Sequence, residues 1–126
     1  MTPTFIKSFL AAADIPARRL VAFSAGTTTV VPAAAATDPI IGVSDHLAVV
    51  AGGMADVIQG GWGEVVAGGA IAPGDPITSD AEGRAIKAEP VAGAVVRVAG
   101  FAQSDAALGD VIDYLVAPGV LATPAA

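Results

Sequence analysis

Gly60-Gly-Trp-Gly-Glu-Val-Val-Ala-Gly-Gly-Ala-Ile-Ala-Pro-Gly-Asp-Pro-Ile-Thr-Ser-Asp-Ala-Glu-Gly-Arg-Ala-Ile-Lys87 alternates brief Val/Ile runs with Gly, Pro and Asp. Turn-forming residues recur every few positions, so each strand is held to about 3 to 6 residues before the backbone reverses. The pattern predicts a mainly β protein, a small sandwich, clip or barrel.

Outward from this stretch the same reading continues. Residues 18–23 and 26–31 read as the first two strands. The alanines of 32–39 are bracketed by Pro32 and Pro39, which excludes a long helix. Further strand-like pieces fall at 40–43, 47–50, 56–59, 64–66, 76–78, 84–87, 91–98, 111–115 and 119–121. A faint echo runs through them: Gly42-Val-Ser-Asp-His-Leu leads to Gly53-Met-Ala-Asp-Val-Ile, and Gly100-Phe-Ala-Gln-Ser-Asp leads to Gly109-Asp-Val-Ile. Two similar strand pairs facing one another are expected, short of a solenoid.

With 126 residues the chain suffices for one domain with a core of its own. Hydrophobic residues make up 54 % of it but aromatics only 5 %, so the core is built largely from Ala and Val and is thin. Oligomerisation would supply the missing burial. Six basic residues against twelve acidic ones leave a formal charge of −6, which opposes attraction to nucleic acid or anionic lipid. No cysteine is present, so neither disulfides nor thiolate metal sites contribute. The run from Leu20 to Thr37 contains Gly26, three consecutive threonines and Pro32, which argues against a membrane span, and Lys7 and Asp14 shorten the N-terminal apolar stretch below that of a signal peptide.

Residues 1–17 carry no two-residue alternation and read as an extended N-terminal arm ahead of a β domain at 18–126. Phe5, Ile6, Phe9 and Leu10 cluster in this arm, either tacked down or available to dock on a neighbouring molecule. Trp62, flanked by glycines, suits either a core plug or an interface anchor.

Catalytic chemistry is not visible. The single histidine, His46, follows Ser44 and Asp45, but along a strand Asp45 points away from both neighbours, so no relay is expected. The glycine pairs lack the Gly-Lys-Ser/Thr and the following helix that a phosphate loop needs. Asp75, Asp80 and Glu82 lack the spacing of a calcium loop and read as turn formers. No enzyme activity, cofactor or metal site is expected.

The order of Asp38-Pro-Ile-Ile-Gly-Val-Ser-Asp45, Gly53-Met-Ala-Asp-Val-Ile58 with Gly60-Gly61, Val66 to Arg84, and Gly109-Asp-Val-Ile-Asp-Tyr-Leu-Val-Ala-Pro-Gly119 resembles the capsid cement or head decoration proteins of tailed bacteriophages. The resemblance implies a β-tulip or β-clip-like fold, with a jellyroll sandwich as the alternative. It implies a virion protein on the capsid exterior, made in the bacterial host cytoplasm. Its partners would be the major capsid protein and further copies of itself, a homotrimer before a dimer. Phe5, Ile6, Phe9 and Leu10 would then dock the arm, Arg18 and Arg19 would be its electrostatic partners, and Trp62 an anchor between subunits. The competing reading is a carbohydrate-binding or adhesive β module of a phage tail or fibre.

Overall fold

The computed structural model describes residues 3–24 and 26–122. Nine strands follow one another: β1 (Pro3–Leu10), β2 (Leu20–Phe23), β3 (Val30–Pro32), β4 (Ile40–Ser44), β5 (Met54–Val66), β6 (Pro76–Ser79), β7 (Ala85–Lys87), β8 (Val95–Ala102) and β9 (Val111–Ala122). They form one curled antiparallel sheet in the order β3-β2-β4-β5-β9-β8-β6-β7, with β1 also paired to β5. Among the described residues there is no helix, so the mainly β, single-domain reading holds.

The faint echo in the sequence is the trace of two equivalent halves. In the first, Leu20 pairs with Val43, Val43 with Ile58 and Ile58 with Ile6. In the second, Pro76 pairs with Phe101, Phe101 with Leu115 and Leu115 with Trp62. The isolated bridges repeat as well: Ala11 to Val30 and Ile15 to Val49 are matched by Ala67 to Ala85 and Ile71 to Ala106. Even the backbone specials correspond, since Arg18 (φ 55°) occupies the place that Gly74 (φ 86°) holds in the second half. β5 ends one half and begins the next.

Each half has its own apolar interior, and the two interiors differ in what covers them. Phe9, Ala11, Ile15, Val21, Val30, Ala55 and Val57 fill the first. The second contains the equivalent Val65, Ala67, Ile71, Ile77, Ala85, Ile112 and Tyr114, and in addition receives Leu20, Val43 and Ile58 from the outer face of the first half. Gly63 makes that insertion feasible, because a Cβ there would lie 2.9 Å from both Tyr114 and Val43. Backbone bonds seal the junction: Val66 N–H donates to Arg18 (2.9 Å), Leu20 N–H to Gly83 (2.7 Å) and Arg97 N–H to Ala36 (2.7 Å). A shared core of this kind is what makes the halves one domain.

Several boundaries differ from the sequence expectation. Residues 3–10 are not a free arm: β1 is laddered to β5 from Pro3 to Leu10, and Phe9 is buried. Residues 1–2 lie outside the described residues, as do Ala25 and 123–126. The pieces 56–59 and 64–66 are one strand, because Gly60 and Gly61 (φ 75°) form a bulge that bends β5 instead of reversing it. Likewise 111–115 and 119–121 join in β9. Residues 47–50 are no strand: Val49 makes an isolated bridge through reciprocal bonds to Ile15, Val50 O closes a turn with Gly53 N–H, and Leu47 and Val50 are exposed. Residues 91–94 form a turn, closed by Ala94 N–H on Val91 O, so β8 starts at Val95.

Candidate functional site

Three surface features gather the residues singled out from the sequence. The first is an apolar groove of about 620 Å³ along β1, between that strand and the β2–β3 hairpin. Phe5, Phe9 and Leu10 line it together with Phe23, Thr28 and Gln59. Alternation along β1 explains the arrangement: Lys7 and Phe9 share the inner face. Phe9 meets Phe23 edge to face, ring centroids 5.6 Å apart at 79°, and the Lys7 ammonium lies 5.2 Å from the Phe9 ring. Ile6 points to the other side, where it pairs with Ile58. The groove therefore gathers Phe5, Phe9 and Leu10 but not Ile6.

The second feature is an exposed apolar row that crosses three strands. Trp62, Leu115 and Phe101 are direct neighbours on β5, β9 and β8, and side chains paired in register share one face of a sheet. They are 39 %, 41 % and 41 % exposed. In the equivalent row of the first half, Ile6, Ile58 and Val43, the last two are buried, at 7 % and 0 %, while Ile6 is 44 % exposed. Trp62 thus lies on an outer face and is no core plug. Sequence reasoning missed Leu115 and Phe101, because only the strand register places them beside it.

The third is a polar cleft of about 200 Å³ next to Trp62, lined also by Arg18, Asp45, His46 and Glu64. Arg18 Nε is 3.5 Å from Glu64 Oε1. Asp45 Oδ1 accepts from the His46 backbone N–H at 2.8 Å and sits 2.9 Å from His46 Nδ1. Asp45 was expected to point away from His46; the chain leaves β4 at this point, and the bend turns the carboxylate back. Those hydrogen bonds from the His46 side chain and backbone hold the Asp45 carboxyl below its ordinary pKa of 3.8. Ser44 joins no relay: its hydroxyl donates to Pro16 O at 2.8 Å and accepts from Arg19 N–H at 3.0 Å.

Arg18 and Arg19 are both engaged within the chain, Arg18 by Glu64 and Arg19 through Nη1 to Glu82 O at 3.0 Å. Asp80 accepts from Glu82 N–H and Arg84 N–H and pairs with Arg84 Nε at 2.8 Å, and Asp75 caps Ala72 N–H. Both carboxylates thus serve their own turns. Among the described residues no group of three His, Cys, Asp or Glu side chains is placed to hold a metal ion, and no helix is long and apolar enough to cross a membrane.

No protein-family model and no curated protein matches this chain. Among solved structures it is similar to the N base of the head fiber gp8.5 of bacteriophage phi29, with a TM-score of 0.68 and 23 % identity over 90 % of this chain and 93 % of that one. At that identity the likeness establishes a common fold across nearly the full length of both.

Proposed function

We propose that this protein is a structural component of a phage virion that binds the exterior of the icosahedral head as a cement or decoration protein. The observation that carries the reading is the shared fold with a phage head fiber base, which extends over both halves of the chain. Its partners in this reading are the major capsid protein and further copies of itself in a homotrimer, with no bond made or broken. A protein that binds the assembled shell and not its dissociated subunits stabilises assembly by mass action, and many modest contacts add up on a repeating surface. The acidic charge and the exposed apolar side chains suit such docking on protein. Phe5 and Leu10 in the groove and Trp62 on the outer row are assigned to subunit contacts.

The test is to mix purified protein with expanded, undecorated capsids. Co-sedimentation, a higher capsid melting temperature and added density on the outer surface are expected; a protein that stays in the supernatant overturns the proposal. One observation favours a second reading, an adhesive module: Trp62 offers an indole face beside Arg18, Asp45 and Glu64, the mixture of stacking and hydrogen-bonding groups a sugar ring uses. A glycan array with hits abolished by Trp62→Ala, alongside no capsid binding, would select it.

A further inference from the structure

We propose that the exposed row of Trp62, Leu115 and Phe101 docks into the β1 groove of a second copy of this chain, head to tail, repeating between molecules the contact that joins the two halves within one. The internal contact supplies the template. Inside the chain Val43 enters the second half beside Gly63, where a Cβ would also come within 3.3 Å of Val116. By strand register the counterpart of Val43 is Phe101, and the counterparts of Gly63 and Val65 are Lys7 and Phe9. Counting two residues on from Val57 and Tyr114, which are also counterparts, makes Gln59 the match of Val116. Lys7, Phe9 and Gln59 line the groove. The groove is therefore the first half's version of the seat that Val43 fills in the second, and Phe101 stands on the face equivalent to the one that fills it.

Charge supports the same occupant. Asp113 is exposed on β9 two residues from Leu115, in register with Glu64, which is already paired with Arg18, so Asp113 is the carboxylate that flanks the apolar row for an incoming cation. Lys7 is the cation in the groove. Two departures from the template shape the contact. Lys7 replaces Gly63, so its side chain must move aside for the incoming Phe101, towards Asp113. Pro76 replaces Leu20 and has no N–H for the bond that Leu20 makes to Gly83. The contact between copies thus rests on side-chain burial and the Lys7 to Asp113 attraction more than on backbone bonds. Because each copy offers one row and one groove, the contact is heterologous, and it closes as a ring or extends as a filament.

The inference is independent of capsid binding and is read on the purified chain. The wild type is expected to sediment as an oligomer, and Phe101→Glu and Lys7→Glu each as a monomer with an unchanged circular dichroism spectrum. Mixing the two variants leaves one intact row and one intact groove, so a heterodimer of two monomer masses is expected. A wild type that is monomeric at high concentration, or folded variants that do not pair on mixing, overturns the proposal. Should either variant unfold, the double variant Lys7→Cys with Phe101→Cys in this cysteine-free chain decides the matter. Oxidation must link copies through disulfides between positions 7 and 101, and failure to link excludes the contact.

Discussion

Gly42 and Gly100 occupy the same place in the two halves of the chain, and each lies against a backbone carbonyl of the next strand, that of Ile58 for Gly42 and that of Leu115 for Gly100. Gly42 pairs with Val21 and Gly100 with Ile77, so the two glycines mark corresponding points of β4 and β8. At both points the register shifts nearby, between Val21 and Ala22 and between Val98 and Gly100. A close crossing of strands curls each half into its cup, and the crossing leaves no room for a methyl group.

Gly42→Ala and Gly100→Ala are therefore each expected to destabilise the protein by at least about 2 kcal/mol, since the obstructing atoms are backbone and cannot rotate away. Gly52→Ala serves as the contrast. Its φ of 89° strains an alanine but nothing lies within 4 Å of the added carbon, so a loss of about 1 kcal/mol is expected. Denaturant midpoints of the three variants give the ranking.

Tyr114, the only tyrosine, is fully buried, and its hydroxyl has no hydrogen-bond partner among the described residues. Burial pushes its phenol pKa far above the ordinary value of 10.0. The folded state thus holds the proton more tightly than the unfolded state, so the stabilisation is complete below pH 10 and is lost as pH rises beyond it. Alkaline titration is expected to show tyrosinate absorbance appearing together with unfolding. Tyr114→Phe is expected to abolish that alkaline loss while changing stability at neutral pH by no more than about 1 kcal/mol, because no bond is broken.

Arg18 has the left-handed backbone (φ 55°) that its counterpart Gly74 adopts without penalty. Arg18→Gly is expected to raise the melting temperature, with relief of about 1 kcal/mol of strain outweighing a long, half-buried ion pair to Glu64. Arg18→Ala keeps the strain, loses the pair and is expected to lower it. Calorimetry of the two variants must show opposite signs.

The Asp45 carboxyl, held below its usual pKa by His46, contributes stability that is present above pH 3.8 and is lost as pH falls through the lower folded-state value. Because the side chain is 37 % exposed, the effect is small, under about 1 kcal/mol. Asp45→Asn is expected to flatten the acid limb of the stability profile slightly, as measured by urea midpoints between pH 5 and pH 2.

Much of the β character was readable one residue at a time. Gly74, Gly83 and Gly109 do sit at positive φ in turns, and Asp75, Asp80 and Asp110 cap the neighbouring backbone. The breaks that were misplaced share a cause. Gly60 and Gly61, and Pro118 with Gly119, signal a reversal, yet they lie inside β5 and β9, where a bulge absorbs them because strands on either side continue the ladder. β1 was missed for the complementary reason. Phe5, Ile6, Leu10 and Lys7 expose both faces of the strand, so no alternation marks it, and it is held by pairing with β5.

The candidate surfaces divide along the same line. Turn chemistry, composition and charge act through neighbours in the chain, and from them a thin-cored, acidic, all-β domain follows without reference to any distant residue. Which apolar residues are covered is a matter of register and of how one half seats against the other. Leu20, Val43 and Ile58 are as apolar as Pro76, Phe101 and Leu115, but the first set has the second half to fill and the second set faces solvent. Nothing local distinguishes them, because burial belongs to the pair of surfaces that meet and not to the residue that is buried.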